Sequence, residues 1–258
     1  MVKDSLSAAD ITRGLNTSFI GQEVSCYPSL PSTNDMAKGQ ARQGAKEGTV
    51  IIAEEQTAGR GRLGRGWLSP RGSIALSIVL YPPLTYLPSL IMVASLAVAS
   101  AIEQVTGLKA QLKWPNDVLI NDKKVCGILV ESDVKGNKVD YAVIGIGLNV
   151  NINPPQFPQI APLATSLSQE LGRDIPRREL IRSLLMEAER LYLALPGDWV
   201  FRQWRDRLST LGKRVRGGSG EATYTGIAES VANDGSLLLR QPDGNLVKIV
   251  AGDVTLSR

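Results

Sequence analysis

Residues 112–151 read LKWPNDVLINDKKVCGILVESDVKGNKVDYAVIGIGLNVN, and the turns within this stretch decide the fold class. Asn121-Asp122 separates one pair of apolar runs, and Lys135-Gly136-Asn137 separates the next. Both are residue combinations that turn a chain back within two or three positions. Strands joined so closely run antiparallel, because a parallel crossover needs a much longer connection. The stretch therefore predicts an antiparallel or mixed sheet, not a doubly wound parallel one. Two further strands precede it: the β-branched run 49–54, and residues 74–80, where Ile74, Leu76, Ile78 and Leu80 alternate onto one face. Residues 89–104 are apolar almost all round and stop before Gly107, the pattern of a core helix.

Downstream, residues 152–176 read as a proline-bearing loop. Leu180, Ile181, Leu184, Leu185, Ala188, Leu191 and Tyr192 then recur at helical spacing behind Pro176. A second helix follows over 198–208, with Asp198 as its candidate cap. After Leu211 the β-rich runs 222–231, 236–240 and 246–251 are divided by Asn233-Asp234-Gly235 and Asp243-Gly244-Asn245. These hairpins predict a small SH3-like β-barrel over 211–258, behind a larger unit over 1–210.

The 258 residues are 43% hydrophobic and 21% charged, enough to bury a core. Twenty-nine basic against 25 acidic residues give a net charge of +4, too thin an excess to imply nucleic acid without a local cluster. The start of the chain, Met1 to Ser5, lacks the apolar core of a signal peptide. The longest apolar run, 90–102, is interrupted by Ser95 and Ser100 and falls short of a membrane span. Two cysteines, Cys26 and Cys126, cannot build a disulfide framework or a cysteine zinc site. The expectation is a cytoplasmic protein with no membrane role. Histidine is absent, which excludes Ser-His-Asp triads, histidine general bases and histidine metal ligands. Catalysis is left to Lys, Arg, carboxylates, backbone amides or a metal bound through oxygen.

Five segments carry groups suited to such chemistry. Gly59-Arg60-Gly61-Arg62-Leu63-Gly64-Arg65-Gly66-Trp67 combines bare amides with guanidinium forks, which together grip phosphate. No Gly-Lys-Ser/Thr follows, so it is not a P-loop, and alone it equally fits a flexible surface turn or an RGG-type nucleic-acid contact. Lys113-Trp114-Pro115-Asn116-Asp117 sets a lysine, an amide and a carboxylate at a strand end, suited to phosphates, magnesium or an incoming amine. Alone it also reads as a tight turn over a buried Trp. In Lys124–Glu131, strand alternation predicts Lys124 and Cys126 on one face, with Val125 and Gly127 on the other. Lys124 is then either a cation for a carboxylate and phosphate or a solvated edge lysine. Gly127 leaves room for a ligand or another backbone, and Cys126 reads as a packed thiol. Gly145-Ile146-Gly147-Leu148-Asn149 bares one face of a strand, a mark of close approach by a ligand. Ser32-Thr33-Asn34 reads as a helix N-cap, with polar groups that equally suit a ligand's urea or amide.

Taken in this order, together with Gln56 and Glu131, these segments resemble biotin–protein ligases over residues 25–155, and the C-terminal β segment fits that family too. The resemblance implies an α+β catalytic domain with a mixed or antiparallel sheet and helices, related to class II aminoacyl-tRNA synthetases. It implies that biotin and ATP, with Mg2+, give biotinyl-5′-AMP, from which biotin passes to a lysine of the biotin carboxyl carrier protein of acetyl-CoA carboxylase. Ser32, Thr33, Asn34, Gln56, Gly59, Arg60 and Gly61 would then surround the ureido ring, and Trp67 would cover the valeryl chain. Arg62, Lys124, Gly127 and Gly145 would complete the biotin site. Arg62, Arg65, Lys113, Asn116, Asp117, Lys124 and Asn149 would manage ATP. The resemblance makes Lys124, Arg60 and Asp117 the catalytic groups, with Asp117 either a metal ligand or the group that orients the acceptor amine. Too few residues precede Ser32 for the helix-turn-helix domain of the repressor members, so specific DNA binding is not expected; a monomer or homodimer is. A lipoate–protein ligase on the same fold, a non-enzymatic biotin sensor and an arginine-rich nucleic-acid module are the alternatives. The Gly-Arg loop with Lys113–Asp117 favours biotin over lipoate, and the retained Lys and Arg set favours an enzyme over a sensor. The chain has neither an aromatic platform nor a long basic stripe for nucleic acid.

Overall fold

Apolar residues on both faces of the long strands demand cover on both sides of the sheet, and the chain supplies it with helices. The computed structural model describes residues 5–219, 222–250, 252 and 254–256. In chain order the first elements are α1 (Ala8–Thr12), β1 (Val24–Tyr27), α2 (Thr33–Arg42), β2 (Val50–Ala53), β3 (Ile74–Leu80) and α3 (Leu90–Thr106). Then come β4 (Gln111–Lys113), β5 (Asp117–Ile120), β6 (Lys123–Lys135), β7 (Lys138–Leu148), α4 (Leu167–Leu171), α5 (Arg177–Leu193) and α6 (Trp199–Asp206). The C-terminal strands are β8 (Arg214–Ser219), β9 (Ala222–Val231), β10 (Leu237–Arg240), β11 (Leu246–Ile249) and β12 (Val254–Leu256).

A seven-stranded sheet runs in the order β1-β2-β3-β7-β6-β5-β4. Its β1–β2 pair is parallel and every other pair antiparallel, the predicted mixed sheet. Asn121 and Asp122 both take positive φ, 50° and 60°, which twists a two-residue turn to match its strands. All seven residues of β3 are buried. Ile74, Leu76, Ile78 and Leu80 face the main core with α3 and α5, while Ala75 and Val79 pack with Ala37 and Ala41 of α2. The helical run 84–106 is long and apolar enough to cross a membrane by composition. Eleven residues of α3 are nonetheless buried, all but Ser95 of them in this core, and Gly107 ends the helix at φ 76°. Arg177 at the start of α5, 4% exposed, pairs at 2.8 Å with Glu54 beyond β2. The predicted cap Asp198 makes no capping bond; its carboxylate pairs instead with Arg202 at 3.0 Å.

The C-terminal strands do not close. They form an open antiparallel sheet in the order β11-β10-β9-β8-β12, and its edges β11 and β12 are not paired with each other among the described residues. This overturns the SH3-like barrel. The turns at 233–235 and 243–245 encode the β9–β10–β11 hairpins, but turn residues say nothing about closure. Closure requires a ladder between the edge strands, and the short β12 pairs with β8 instead. The small sheet is docked firmly beside the large one: Trp114 Nε1 donates to the Gly235 carbonyl at 2.8 Å, and Trp114 N to Thr210 Oγ1 at 2.9 Å. The main apolar core runs on from α3 into Val215, Leu237, Leu239 and Ile249.

Candidate functional site

The N-terminus of α2 builds the polar end of a cleft of about 470 Å³. Ser32 caps the helix by accepting from the Asp35 amide at 3.3 Å. That cap turns Thr33 toward Gln56, whose Oε1 accepts from Thr33 N at 2.8 Å and from Thr33 Oγ1 at 3.0 Å. Ser77, in the middle of β3, lies 2.8 Å from Thr33 Oγ1 and 2.7 Å from Asn34 Oδ1. Ser77 was not among the predicted residues. Its signal is that it is the one hydroxyl in the apolar run 74–80.

The bared face of β7 is filled by the protein's own side chains. A Cβ at Gly145 would stand 2.1 Å from Asn34 Oδ1. Gly127 and Gly147 are direct register partners on β6 and β7. A Cβ on either would meet Trp67, at 2.9 Å from Cζ3 for Gly127 and 2.2 Å from Nε1 for Gly147. The two glycines are therefore a bed for the indole. Gly147→Ala should push the ring off the sheet and cost about 1–3 kcal/mol, the usual range for overpacking. Thermal unfolding of Gly147→Ala, Trp67→Ala and the double variant checks this: the double should recover stability relative to Gly147→Ala, and strictly additive losses would refute the bed.

The Gly-Arg segment is a small hairpin. Trp67 N donates to Gly59 O at 2.8 Å and Gly61 N to Arg65 O at 2.7 Å, around a tip where Leu63 has φ 54° and is 69% exposed. Gly59 does not line the cleft; a Cβ there would lie 2.4 Å from Trp67 O, so its bareness lets the hairpin shut. Gly61, Arg62 and Arg65 do line it, and Arg62 Nη1 donates to Asn116 Oδ1 at 3.2 Å. Arg60 also lines the cleft, and its guanidinium is paired with Asp35 at 2.6 Å and Glu131 at 3.0 Å.

Lys124 reaches the same cleft through a break in strand alternation. Leu119 pairs with Lys124 but Val118 pairs with Cys126, so Val125 is an extra residue in a β-bulge. The bulge corrects the predicted faces: Lys124 joins Gly127, with its Nζ 3.2 Å from where that Cβ would be. Cys126 turns into the core, fully buried, and burial raises its thiol pKa far above the ordinary value, which leaves it an inert packing group. Lys124 Nζ stands 2.6 Å from Asp117 Oδ1 and 5.2 Å from the Trp67 ring centroid. Its backbone is held by the segment before α4, with Lys124 N donating to Leu163 O at 2.8 Å and Thr165 N to Lys124 O at 2.9 Å.

Lys113 and Asn116 line the cleft beside Asp117. Asn149 does not: it is 2% exposed, and its side chain donates to Thr165 O at 3.0 Å, so it anchors the crossing segment instead. Leu163 and, from β12, Val254 and Thr255 complete the wall, three positions that carry no sequence signal. Asp117 and Asp122 are the carboxylates among the lining residues, and no group of three or more metal-ligating side chains exists among the described residues. That donor set fits magnesium, which takes one or two carboxylates and otherwise binds substrate phosphates and water.

The cleft thus joins a neutral hydrogen-bonding pocket, an indole wall and an end bearing Arg62, Arg65, Lys113 and Lys124. These features define an enzyme that activates a small carboxylic acid on a nucleotide. Residues 26–149 match the Biotin/lipoate A/B protein ligase family, and residues 210–257 match the Biotin protein ligase C terminal domain. The Bifunctional ligase/repressor BirA of Bacillus subtilis is 37% identical over 97% of this chain and 79% of its own length. The Biotin--[acetyl-CoA-carboxylase] ligase of Mycobacterium tuberculosis is 37% identical over 94% of each chain. The solved structure of the biotin protein ligase from Aquifex aeolicus in complex with biotin and ATP superposes with a TM-score of 0.78 at 30% identity, covering 92% of this chain and 99% of that one. The chain belongs to the biotin protein ligase family.

Proposed function

We infer that this protein is an ATP-dependent biotin–protein ligase, which forms biotinyl-5′-AMP and then biotinylates a carrier protein. The observation that carries the reading is one cleft lined by Ser32, Thr33 and Gln56, by Trp67, and by the Lys124–Asp117 pair. The pocket presents donors and acceptors suited to a cyclic urea. The indole offers an apolar wall for an alkyl chain, and Lys124 stands where a carboxylate at the end of that chain meets a nucleotide phosphate.

In the first half-reaction a biotin carboxylate oxygen attacks the α-phosphorus of ATP, and the bond to the β-phosphate oxygen breaks to release pyrophosphate. Two anions are brought together, and Lys124 offsets the charge that gathers between them, a preorganised term that is strong in a cleft shielded from water. Arg62, Arg65, Lys113 and Asn116 hold the phosphate chain. Asp117 is the residue that would hold magnesium, which when bound neutralises the triphosphate. In the second half-reaction a neutral lysine amine of the carrier attacks the acyl carbon, the acyl–phosphate C–O bond breaks, AMP leaves, and the proton shed by the amine passes to solvent. Asp117 accepts a hydrogen bond from the incoming amine and orients it. Ser32, Thr33, Asn34, Gln56, Gly61 and Arg60 serve the ring end. Gly59, Gly127, Gly145 and Asn149 act through the side chains and segments they seat.

The carrier we propose is the biotin carboxyl carrier subunit of acetyl-CoA carboxylase, the enzyme named for the Mycobacterium tuberculosis relative. The cytoplasm is the compartment in which ATP and such a carrier meet. Incubation with labelled biotin and ATP should transfer label to that carrier domain and none to the same domain with its acceptor lysine replaced. Transfer of lipoate in place of biotin would reverse the assignment.

A further inference from the structure

Asp35, Lys38 and Glu131 have no part in the chemistry just described, yet together they hold Arg60, a loop residue that lines the cleft. Asp35 and Lys38 come from the first turns of α2, Glu131 from the middle of β6, and Arg60 from the root of the Gly-Arg hairpin. Lys38 Nζ lies 2.9 Å from Asp35 Oδ1 and 2.9 Å from Glu131 Oε1. Arg60 Nη2 lies 2.6 Å from Asp35 Oδ1 and donates to both Glu131 oxygens, at 3.2 and 3.0 Å. Asn34 Nδ2 adds a bond of 2.8 Å to Glu131 Oε2. Two positive and two negative groups cancel, and the Glu131 and Lys38 side chains are only 22% and 19% exposed.

A single exposed ion pair is worth little, but a network that fixes both oxygens of one carboxylate is geometrically demanding. Glu131 is the shared member, touching Asn34, Lys38 and Arg60. Through Asn34 it is joined to Ser77, and the preceding residue, Thr33, is bonded to Gln56. The root of the loop, the N-terminus of α2 and the sheet are thus tied at one carboxylate, a few bonds from the polar pocket. The tip, by contrast, is secured across the cleft through Arg62 and Asn116.

We propose that Glu131, with Asp35 and Lys38, is a positioning residue for biotin: it clamps Arg60 so that the root of the Gly-Arg hairpin is preset over the ring pocket, independently of the tie that Arg62 makes at the tip. The proposal rests on the reading that this pocket receives the biotin ring. Glu131 touches no reacting group, so it acts on binding and on retention of the ring, with the chemical step left to Lys124.

The test is a double-mutant cycle read by biotin-dependent ATP–pyrophosphate exchange, with KM for biotin and kcat determined separately. Glu131→Gln should raise KM for biotin about tenfold while kcat at saturating biotin changes less than about twofold, the pattern of lost ground-state binding. In an Arg60→Met background the same substitution should change KM by less than about twofold, because the residue it acts through is gone. Asp35→Asn, at a more exposed position that bonds only within the cluster and to the helix cap, should shift KM in the same direction by a smaller factor. Parental KM in both Glu131→Gln and Asp35→Asn, or an equal KM shift for Glu131→Gln in both backgrounds, would overturn the clamp. Absence of biotin-dependent exchange in the unsubstituted protein would instead defeat the reading of the pocket itself.

Discussion

Lys124→Ala should slow biotinyl-adenylate formation by about a hundredfold or more, corresponding to on the order of 3 kcal/mol of lost transition-state stabilisation. The ammonium stands 2.6 Å from Asp117 and 5.2 Å from the Trp67 ring centroid, within the cleft and away from the surface edge. Its removal leaves a carboxylate and a phosphate to approach each other with no cation between them. The backbone of residue 124 keeps its bonds to Leu163 and Thr165, so the β-bulge and the crossing segment survive the substitution. Pyrophosphate exchange at saturating biotin and ATP, with a melting curve on the same sample, measures both statements. An unchanged exchange rate in a folded Lys124→Ala protein would make the residue a spectator.

Arg62→Gly should have the second large effect, on retention of the intermediate. Arg62 reaches from the hairpin tip to Asn116 Oδ1 at 3.2 Å, and Asn116 in turn donates to Ile128 O at 2.9 Å. The tip is therefore tied to the turn that follows Trp114. A glycine there deletes the tie and adds backbone freedom to a loop already rich in glycine. On the reading that the hairpin is a lid, the adenylate should still form but escape, since a closed loop would keep a reactive anhydride from bulk water and stray amines. Labelling of a bystander protein with no carrier fold should rise at least about tenfold over the parent. Adenylate formation with no added bystander labelling would show that the hairpin is not a lid.

Much of this architecture is local, and local features were readable. Asn121-Asp122, Gly107 and the period of β3 each act on a few neighbouring residues, and each took the predicted form. The unread features depend on residues far apart in sequence. The bareness of Gly145 and Gly147 was legible, but what fills it, Asn34 and Trp67, arrives from segments far upstream. Lys124 was assigned to the wrong face because strict alternation assumes no bulge, and a bulge at Val125 is a property of the pairing with β5. The C-terminal barrel failed for a related reason: hairpin turns are local, whereas closure depends on which edge the last strand finds. Glu131 stood inside a segment that carried the resemblance, yet its ion-pair partners Lys38 and Arg60 lie on α2 and the hairpin root, far from it in sequence. Asn149 stands out in the sequence beside two glycines, but its bond to Thr165, in the segment that holds Lys124, is a contact sixteen residues away that the sequence does not show.

If biotin and ATP react with each other in this cleft, labelled pyrophosphate should exchange into ATP with no carrier present. That exchange should depend on added biotin, should not be supported by lipoate, and should collapse in Lys124→Ala while the protein remains folded. Exchange that proceeds without biotin, or with lipoate in its place, would contradict that reaction.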